Sequence, residues 1–137
     1  MNIDDDFIKS QKAYLQDLIA FKVHPLLLDD RDKIGFGDWE HGYLAYVTRK
    51  DALSVLGRVF AGELTFKDCY DWISYIAGRD TIGYERGYRD ILSELLYEMI
   101  LLYETKSPDE LISSFLKEEF NKIQTAKFDT TEVDDDD

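Results

Sequence analysis

Apolar residues recur at spacings of three and four along most of the chain, the repeat of helices that bury one face. The first such stretch predicts a helix near residues 6–22, which ends before Pro25 because a residue preceding proline resists the helical conformation. The most apolar stripe predicts a core helix at about 86–103, with acidic residues on its opposite face.

A capping signal predicts where the second helix begins. Thr48 and Asp51 have the spacing of a capping box, and the helix that follows them ends near Phe60. The apolar pattern also continues upstream of Thr48 to about Gly42, so a longer helix is a second interpretation.

The last helix has the strongest start signal in the sequence. Ser107 suits the N-cap, Pro108 the first helical position and Glu110 the third. Another capping box, Thr65 with Asp68, predicts the start of the third helix.

Strand signals are weak, because no segment alternates cleanly between hairpin turn pairs. The predicted fold class is therefore all-α, a single-domain bundle of about five helices over residues 1–124. Residues 125–137 carry one Lys and six carboxylates with little apolar content, which predicts a disordered acidic tail.

Composition and charge narrow the class of protein. The chain has 137 residues, and 29 acidic against 16 basic side chains give a net charge of −13, which repels nucleic-acid phosphates. Cys69 is the one cysteine, so no internal disulfide forms. Without a signal-peptide pattern or an apolar run of about 18 residues, we expect a cytoplasmic protein that binds neither nucleic acid nor membrane.

Catalytic motifs are missing from the sequence: no phosphate-binding loop, nucleophile elbow or zinc-protease motif occurs. The acidic segment that begins at Asp29 departs from a calcium loop, because Arg31 and Lys33 stand at ligand positions. Cys69 lies on the apolar stripe of its helix, where a thiol behaves as a small hydrophobe. We therefore expect a protein that is not an enzyme and has no metal and no cofactor.

One short pattern occurs twice. Residues 31–36 recur as residues 79–84, and a Gly-Tyr pair follows each copy. An Asp cap, a buried Ile and a turn at Gly explain the repeated residue types as helix connectors. The functional interpretation places both connectors at one end of the bundle as a recognition surface.

Aromatic residues exceed what the predicted core stripes use, and Tyr and Trp concentrate binding energy at protein interfaces. The candidates are Trp39, Tyr43, Tyr46, Trp72, Tyr75, Tyr84 and Tyr97. For the two tryptophans a place in the core is the favoured interpretation, and an interface role is the alternative. Nearby acidic residues that would match a cationic protein are Asp38, Glu40, Asp71, Asp80 and Glu85.

Residues 60–65 (Phe-Ala-Gly-Glu-Leu-Thr), the helix with Trp72 and residues 79–85 together resemble small acidic helical immunity proteins of bacterial contact-dependent growth inhibition systems. The resemblance covers residues 44–124. Such proteins resemble colicin-type immunity proteins, which bind a toxin domain, often a nuclease, inside the producing cell and block its activity. The Tyr-Tyr-Pro element of DNase-colicin immunity proteins is absent, so their contact residues are not carried over.

The leading hypothesis is an immunity protein that binds a cognate basic toxin domain one to one and covers its active site. The alternative is an acidic nucleic-acid mimic or regulatory adaptor that binds a host protein. The predicted partner-binding residues surround the two connectors: Asp30, Asp32, Asp38, Trp39, Glu40, Asp80, Tyr84 and Glu85.

Charge reversal at these positions is expected to weaken partner binding. Asp80 is also a predicted helix cap, whereas Glu40 and Glu85 have no predicted capping role and are the cleaner probes. If both tolerate reversal, the next candidates are the acidic faces of later helices, around Glu94, Glu98 and Glu118.

Overall fold

The computed structural model describes residues 5–22, 43–77, 79 and 82–131. Within these residues the chain forms five α-helices and two short β-strands. In chain order the elements are α1 (Asp5–Ile19), β1 (Ala45–Val47), α2 (Arg49–Phe60), α3 (Phe66–Ile76), β2 (Ile82–Tyr84), α4 (Arg89–Glu104) and α5 (Asp109–Thr125). The predicted all-α, single-domain fold of about five helices is confirmed. None of the described helices is long and apolar enough to span a membrane.

Both predicted capping boxes form, and each fixes the start of a helix. At α2, the Asp51 amide donates to Thr48 Oγ1 at 3.2 Å, and the Thr48 amide donates to Asp51 Oδ2 at 3.0 Å. At α3, the corresponding bonds between Asp68 and Thr65 measure 3.0 and 2.9 Å. Amides that the first helical turn leaves unpaired are thereby satisfied by residues three positions away.

The two strands pair in parallel, with Ala45 opposite Ile82 and Val47 opposite Tyr84. The upstream extension of α2 is therefore wrong, because the residues before Thr48 form a strand. The weak strand signal has a simple cause: β1 places one outward side chain between two buried ones, and three residues are too few for a recognisable alternation.

The predicted Ser107 cap of α5 is also wrong, because Pro108 occupies the N-cap position and no side chain caps the helix. Ser107 instead closes the end of α4. Its amide donates to the Leu102 carbonyl at 3.0 Å, and Lys106, at φ +58°, donates to the Tyr103 carbonyl at 3.1 Å. This paired arrangement is a Schellman motif, so the turn between the helices belongs to the helix before it.

Trp72 connects α3 to α1 through the centre of the core. Its side chain is fully buried, and the indole Nε1 donates to the carbonyls of Leu18 and Ile19, both at 3.0 Å. The core assignment of Trp72 is therefore confirmed. Cys69 is also fully buried, and burial raises the pKa of its thiol to about 12, so it packs as a small hydrophobe as predicted.

Part of the predicted tail packs against the helical body. The Phe128 ring meets the Tyr88 ring edge-on at 5.9 Å, and the Asp129 amide donates to the Gly87 carbonyl at 2.9 Å. A single aromatic side chain thus anchors a segment that its average composition predicted to be disordered. Residues 132–137 lie outside the described residues, and their disorder stays a prediction.

Alanine substitutions at three glycines separate backbone strain from crowding. Gly57→Ala should raise the free energy of unfolding by about 0.5–1 kcal/mol, because the site is open and helical. Gly62→Ala should lower it by about 1 kcal/mol, since φ is +83° in open space. Gly87→Ala should cost about 2 kcal/mol or more, because φ is +87° and a Cβ would lie 2.5 Å from the Phe128 ring.

Urea unfolding of the three variants measures these differences. A Gly87→Ala cost no larger than that of Gly62→Ala would contradict the packing of Phe128 on this turn. The Phe128→Ala background provides the control, because removing the ring should reduce the Gly87→Ala cost to the strain alone.

Candidate protein-binding surface

Four tyrosines gather on one side of the molecule around the two strands. Tyr43, Tyr46 and Tyr97 are 53%, 50% and 55% exposed, and the rings of Tyr43 and Tyr46 meet edge-on at 5.7 Å. Tyr46 points outward because it is the middle residue of β1, between two buried neighbours. The predicted exposure of part of the aromatic set is therefore confirmed, and we call Tyr43, Tyr46, Tyr84 and Tyr97 the tyrosine face.

Tyr84 forms the half-buried centre of this face. Burial, the nearby Tyr97 hydroxyl with which it hydrogen-bonds, and Tyr43 together raise the pKa of Tyr84 to about 12. Its hydroxyl therefore stays protonated and uncharged at neutral pH. The neighbouring Gly83 is required for space, since a Cβ there would lie 2.7 Å from the Tyr43 ring.

The structure describes part of the second copy of the repeated connector. In the second copy, Ile82 is buried as predicted, but Gly83 lies within β2 instead of forming a turn. Its role is to let an aromatic ring lie against the strand. The first copy and Asp80 lie outside the described residues, so the placement of both connectors at one end of the bundle stays a prediction.

A cleft of about 320 Å³ opens beside the tyrosine face. Three of its walls are tyrosines, and the turn that leads from β2 into α4 supplies the rest. We call it the tyrosine–arginine cleft, and its lining is Tyr43, Tyr46, Tyr84, Glu85, Arg86, Gly87 and Arg89. The aromatic walls offer apolar contact, and Arg86 and Arg89 add exposed positive charge to the lining.

Arg49 and Glu85 fix the position of this turn against α2. Glu85 Oε1 accepts from the Arg49 backbone amide at 2.8 Å and from its Nε at 3.0 Å, while Oε2 accepts from the second guanidinium nitrogen at 3.0 Å. The guanidinium carbon also lies 3.6 Å from the centre of the Tyr88 ring. Burial opposes ionisation of Glu85, but the bonds from Arg49 outweigh it and hold the pKa of Glu85 below its usual value.

The structure places two of the eight predicted partner-binding residues, and both belong to the cleft. Tyr84 and Glu85 line it, although Glu85 also satisfies the first amide of α2 and so has the structural role that the sequence did not predict. The other six lie outside the described residues: Asp30, Asp32, Asp38, Trp39, Glu40 and Asp80.

The predicted contribution of Asp71 to an acidic surface patch is wrong. Its side chain is buried on α3, and the Lys67 ammonium donates to it at 2.9 Å. Sequence reasoning also missed Arg86 and Arg89 as cleft residues. The available signal was their position on either side of a Gly-Tyr pair, directly after the residue that bonds Arg49.

Most of the net charge belongs to residues outside the described part of the chain. Of the 29 carboxylates, 17 are in described residues, together with 14 of the 16 Lys and Arg side chains, a net charge of −3. The other 12 carboxylates and two basic side chains leave −10 on the remaining residues. The acidity that suggested a cationic partner is therefore concentrated in a few segments.

Those segments join the described structure beside the cleft. Residues 23–42, which hold five carboxylates, are continuous with Tyr43, and residues 80–81 lead directly into β2. Residues 132–137 follow the segment that bonds to Gly87. The most acidic parts of the sequence thus adjoin, along the chain, residues that line or contact the cleft.

A separate charged cluster joins α4 to α5. Glu119 is 1% exposed, and the Lys122 ammonium lies 3.3 Å from its Oε2 and 3.2 Å from Glu94 Oε2. Glu119 Oε1 is buried without a hydrogen-bond partner. Burial and the adjacent Glu94 raise the pKa of Glu119 to about 7, because both disfavour a second negative charge there.

Neither cluster is arranged as a metal centre. No group of three or more His, Cys, Asp or Glu residues within the described part of the chain could hold a metal ion. Comparison of the chain with family models, curated proteins and solved structures gave no match. The function of the candidate site is therefore inferred from its geometry alone.

Glu85→Lys should destabilise the fold by about 2–4 kcal/mol, because it removes three hydrogen bonds and places a cation beside Arg49. Glu98→Lys is the matched control, since Glu98 is exposed on α4, and should change stability by about 0.5 kcal/mol or less. Thermal and urea unfolding of both variants measure this. Equal stability of the two would show that the Arg49–Glu85 pair does not hold the turn.

The buried Glu119 should make the protein less stable as the pH rises from 5 to 8. The folded state binds a proton up to about pH 7, whereas the unfolded chain releases it near the usual 4.5, so this stability is present below 4.5 and lost through 7. Glu119→Gln should abolish the loss and raise stability at pH 8 by up to about 3 kcal/mol.

Urea unfolding at pH 5, 6, 7 and 8 measures this dependence. Glu118→Gln is the control, because exposed Glu118 contacts the same Lys122 at 3.6 Å without burial and should leave the pH dependence unchanged. A Glu119→Gln variant with the wild-type slope would contradict a buried protonated carboxyl.

Proposed function

We propose that this protein is a non-enzymatic inhibitor, an immunity protein that binds a cognate basic toxin domain one to one inside the producing cell. The observation that carries the proposal is the tyrosine face, in which Tyr43, Tyr46 and Tyr97 are half exposed. Tyr43 and Tyr46 line a cleft together with Tyr84, and most of the negative charge lies in segments that adjoin described residues in sequence. The partner chemistry that fits is a cationic protein surface, with a nuclease as the expected toxin class.

The tyrosines support tight contact. Tyrosine contributes a large, rigid apolar area together with a hydroxyl, at the cost of ordering only two side-chain torsions. Residues of this type near the centre of an interface account for much of its binding energy. The ring of Tyr43 already rests on Gly83 and on its neighbour Tyr46, so little order remains to be gained on binding.

The charged segments support fast association. Carboxylates that border an apolar centre attract a cationic partner over roughly a Debye length, about 8 Å at physiological salt. The active site of the toxin would then be covered by the tyrosine face while the acidic segments meet its basic surroundings.

The distribution of charge favours this function over an acidic nucleic-acid mimic or regulatory adaptor. A mimic needs carboxylates spread evenly over a broad surface, because it imitates a regular phosphate backbone. The described residues carry a net charge of only −3, with basic side chains interspersed among the acidic ones. Charge that is concentrated in a few segments suits a dedicated partner better.

The decisive experiment pairs the protein with the toxin domain encoded beside it. The purified proteins should form a one-to-one complex, the toxin should lose activity, and the association rate should fall at least tenfold between 50 and 500 mM NaCl. Failure to bind any basic protein encoded next to it would sink the proposal.

Double substitution Tyr46→Ala with Tyr97→Ala tests the surface itself. Affinity should fall at least 100-fold, since two central aromatic contacts of about 1.5 kcal/mol or more each are removed. Leu111→Ala is the control, because Leu111 is equally exposed at 50% but lies in the first turn of α5, beyond the far end of α4. Equal affinities of the two variants would place the interface elsewhere, and Glu40→Lys then reports whether the acidic segment still contributes.

A further inference from the structure

A second cleft, of about 520 Å³, lies where α3 meets the turn between α4 and α5. We call it the α4–α5 cleft, and its lining includes Tyr70 of α3, Tyr103 and Glu104 of α4, Lys106 of the turn and Asp109 of α5. We propose that this cleft binds a guanidinium group, the side chain of an arginine on a basic protein segment.

The first argument is an aromatic pair. The rings of Tyr70 and Tyr103 stack with their centres 4.4 Å apart and their planes inclined by 22°. Both rings are partly buried and pack against the core, which holds them in place. A guanidinium is planar and weakly hydrated, so it stacks on the face of such a ring more readily than an ammonium does.

The second argument is negative charge without a cationic partner. Glu104 Oε2 accepts from the Tyr70 hydroxyl at 2.6 Å, and this bond raises the pKa of Tyr70, so the hydroxyl stays protonated at neutral pH. Within the described part of the chain, neither Glu104 nor Asp109 forms an ion pair. Both carboxylates are therefore open to N–H donors, and a guanidinium presents two parallel donors to one carboxylate.

The third argument is the end of α4. The aligned peptide dipoles of a helix leave partial negative charge at its C-terminus, and a basic side chain in the last turn offsets that charge. The last turn of α4 contains no basic residue. Lys67, on the neighbouring α3, is already bound to Asp71 at 2.9 Å. The helix end therefore adds to the attraction for a cation that enters from outside.

Lys106 is the one cation among the described residues of the lining, and it limits the strength of binding. Its ammonium is exposed and pairs with neither Glu104 nor Asp109. The lining thus keeps a net negative charge, and Lys106 opposes an incoming cation without occupying its place. Lys106→Gln should therefore strengthen the binding of a guanidinium about twofold.

The inference goes beyond the proposed toxin-binding function, because the α4–α5 cleft shares no residue with the tyrosine face or the tyrosine–arginine cleft. The element in common is α4, which contributes Arg89 at its start to one cleft and Glu104 at its end to the other, about 22 Å apart along the helix. The test uses no toxin, so its failure and failure of toxin binding are separate results.

The test titrates Nα-acetyl-arginine methylamide into the full chain at 50 mM NaCl and follows NMR signals. The ring signals of Tyr70 and Tyr103 and the amide signal of Asp109 should shift together and saturate, with a dissociation constant on the order of 1–10 mM. The matching citrulline derivative, which has a similar shape without the charge, should not bind. The lysine derivative should bind about threefold more weakly or worse, because an ammonium is a point charge without a planar pair of donors.

Variants locate the binding. Glu104→Gln with Asp109→Asn should weaken binding of the arginine probe about fivefold or more. The matched control is Glu98→Gln with Glu110→Gln, which removes two charges from exposed residues of the same two helices and should leave binding unchanged. Asp109→Asn alone provides the measurement if the double variant does not fold, and should weaken binding about twofold.

Three results would overturn the proposal. One is a titration that shows no saturation up to about 100 mM of the arginine probe. Another is equal affinity for the arginine and lysine derivatives, or binding of the citrulline derivative, since the guanidinium would then not be the group recognised. The third is equal affinity of the two double variants for the arginine probe, which would place the binding outside the α4–α5 cleft.

Discussion

The ion pair between Arg49 and Glu85 is the contact on which the tyrosine face depends, because it fixes three elements at once. The carboxylate binds the guanidinium through two atoms and also accepts the first amide of α2, so the start of that helix and the end of β2 share one charged group. Tyr88, at the entrance to α4, covers the guanidinium. The cleft exists because β2, α2 and α4 meet at this pair.

The cleft also depends on two glycines and on the aromatic rings that pack against them. At Gly87 a positive φ lets the chain turn, and the absence of a side chain makes room for Phe128. At Gly83 the same absence lets the Tyr43 ring lie directly on the strand. Each glycine therefore brings an aromatic residue from a distant part of the chain to the turn between β2 and α4, and the surface is assembled from parts that are separate in sequence.

Charge in this protein is organised by segment more than by helix face. The helical body is nearly balanced, and its ion pairs, such as Lys67 with Asp71, are internal to it. The excess carboxylates belong to stretches outside the described residues, chiefly residues 23–42 and 132–137. Fold stability and partner attraction consequently depend on different residues. The buried Glu119 makes the stability of the fold depend on pH.

The sequence by itself determined the helices and the start of α3 at Thr65, because a capping box is formed by residues three positions apart. For α2 it gave the cap at Thr48 but also allowed a longer helix, which the pairing of β1 excluded. It also determined the burial of Cys69, since an apolar stripe follows from helical periodicity alone. Tertiary structure decided what lies across the chain: the pairing of β1 with β2, the bond from Arg49 to Glu85 over 36 positions, and the arginine border of the cleft. Contacts between such distant residues leave no periodic pattern, so the site became visible only when the chain was folded.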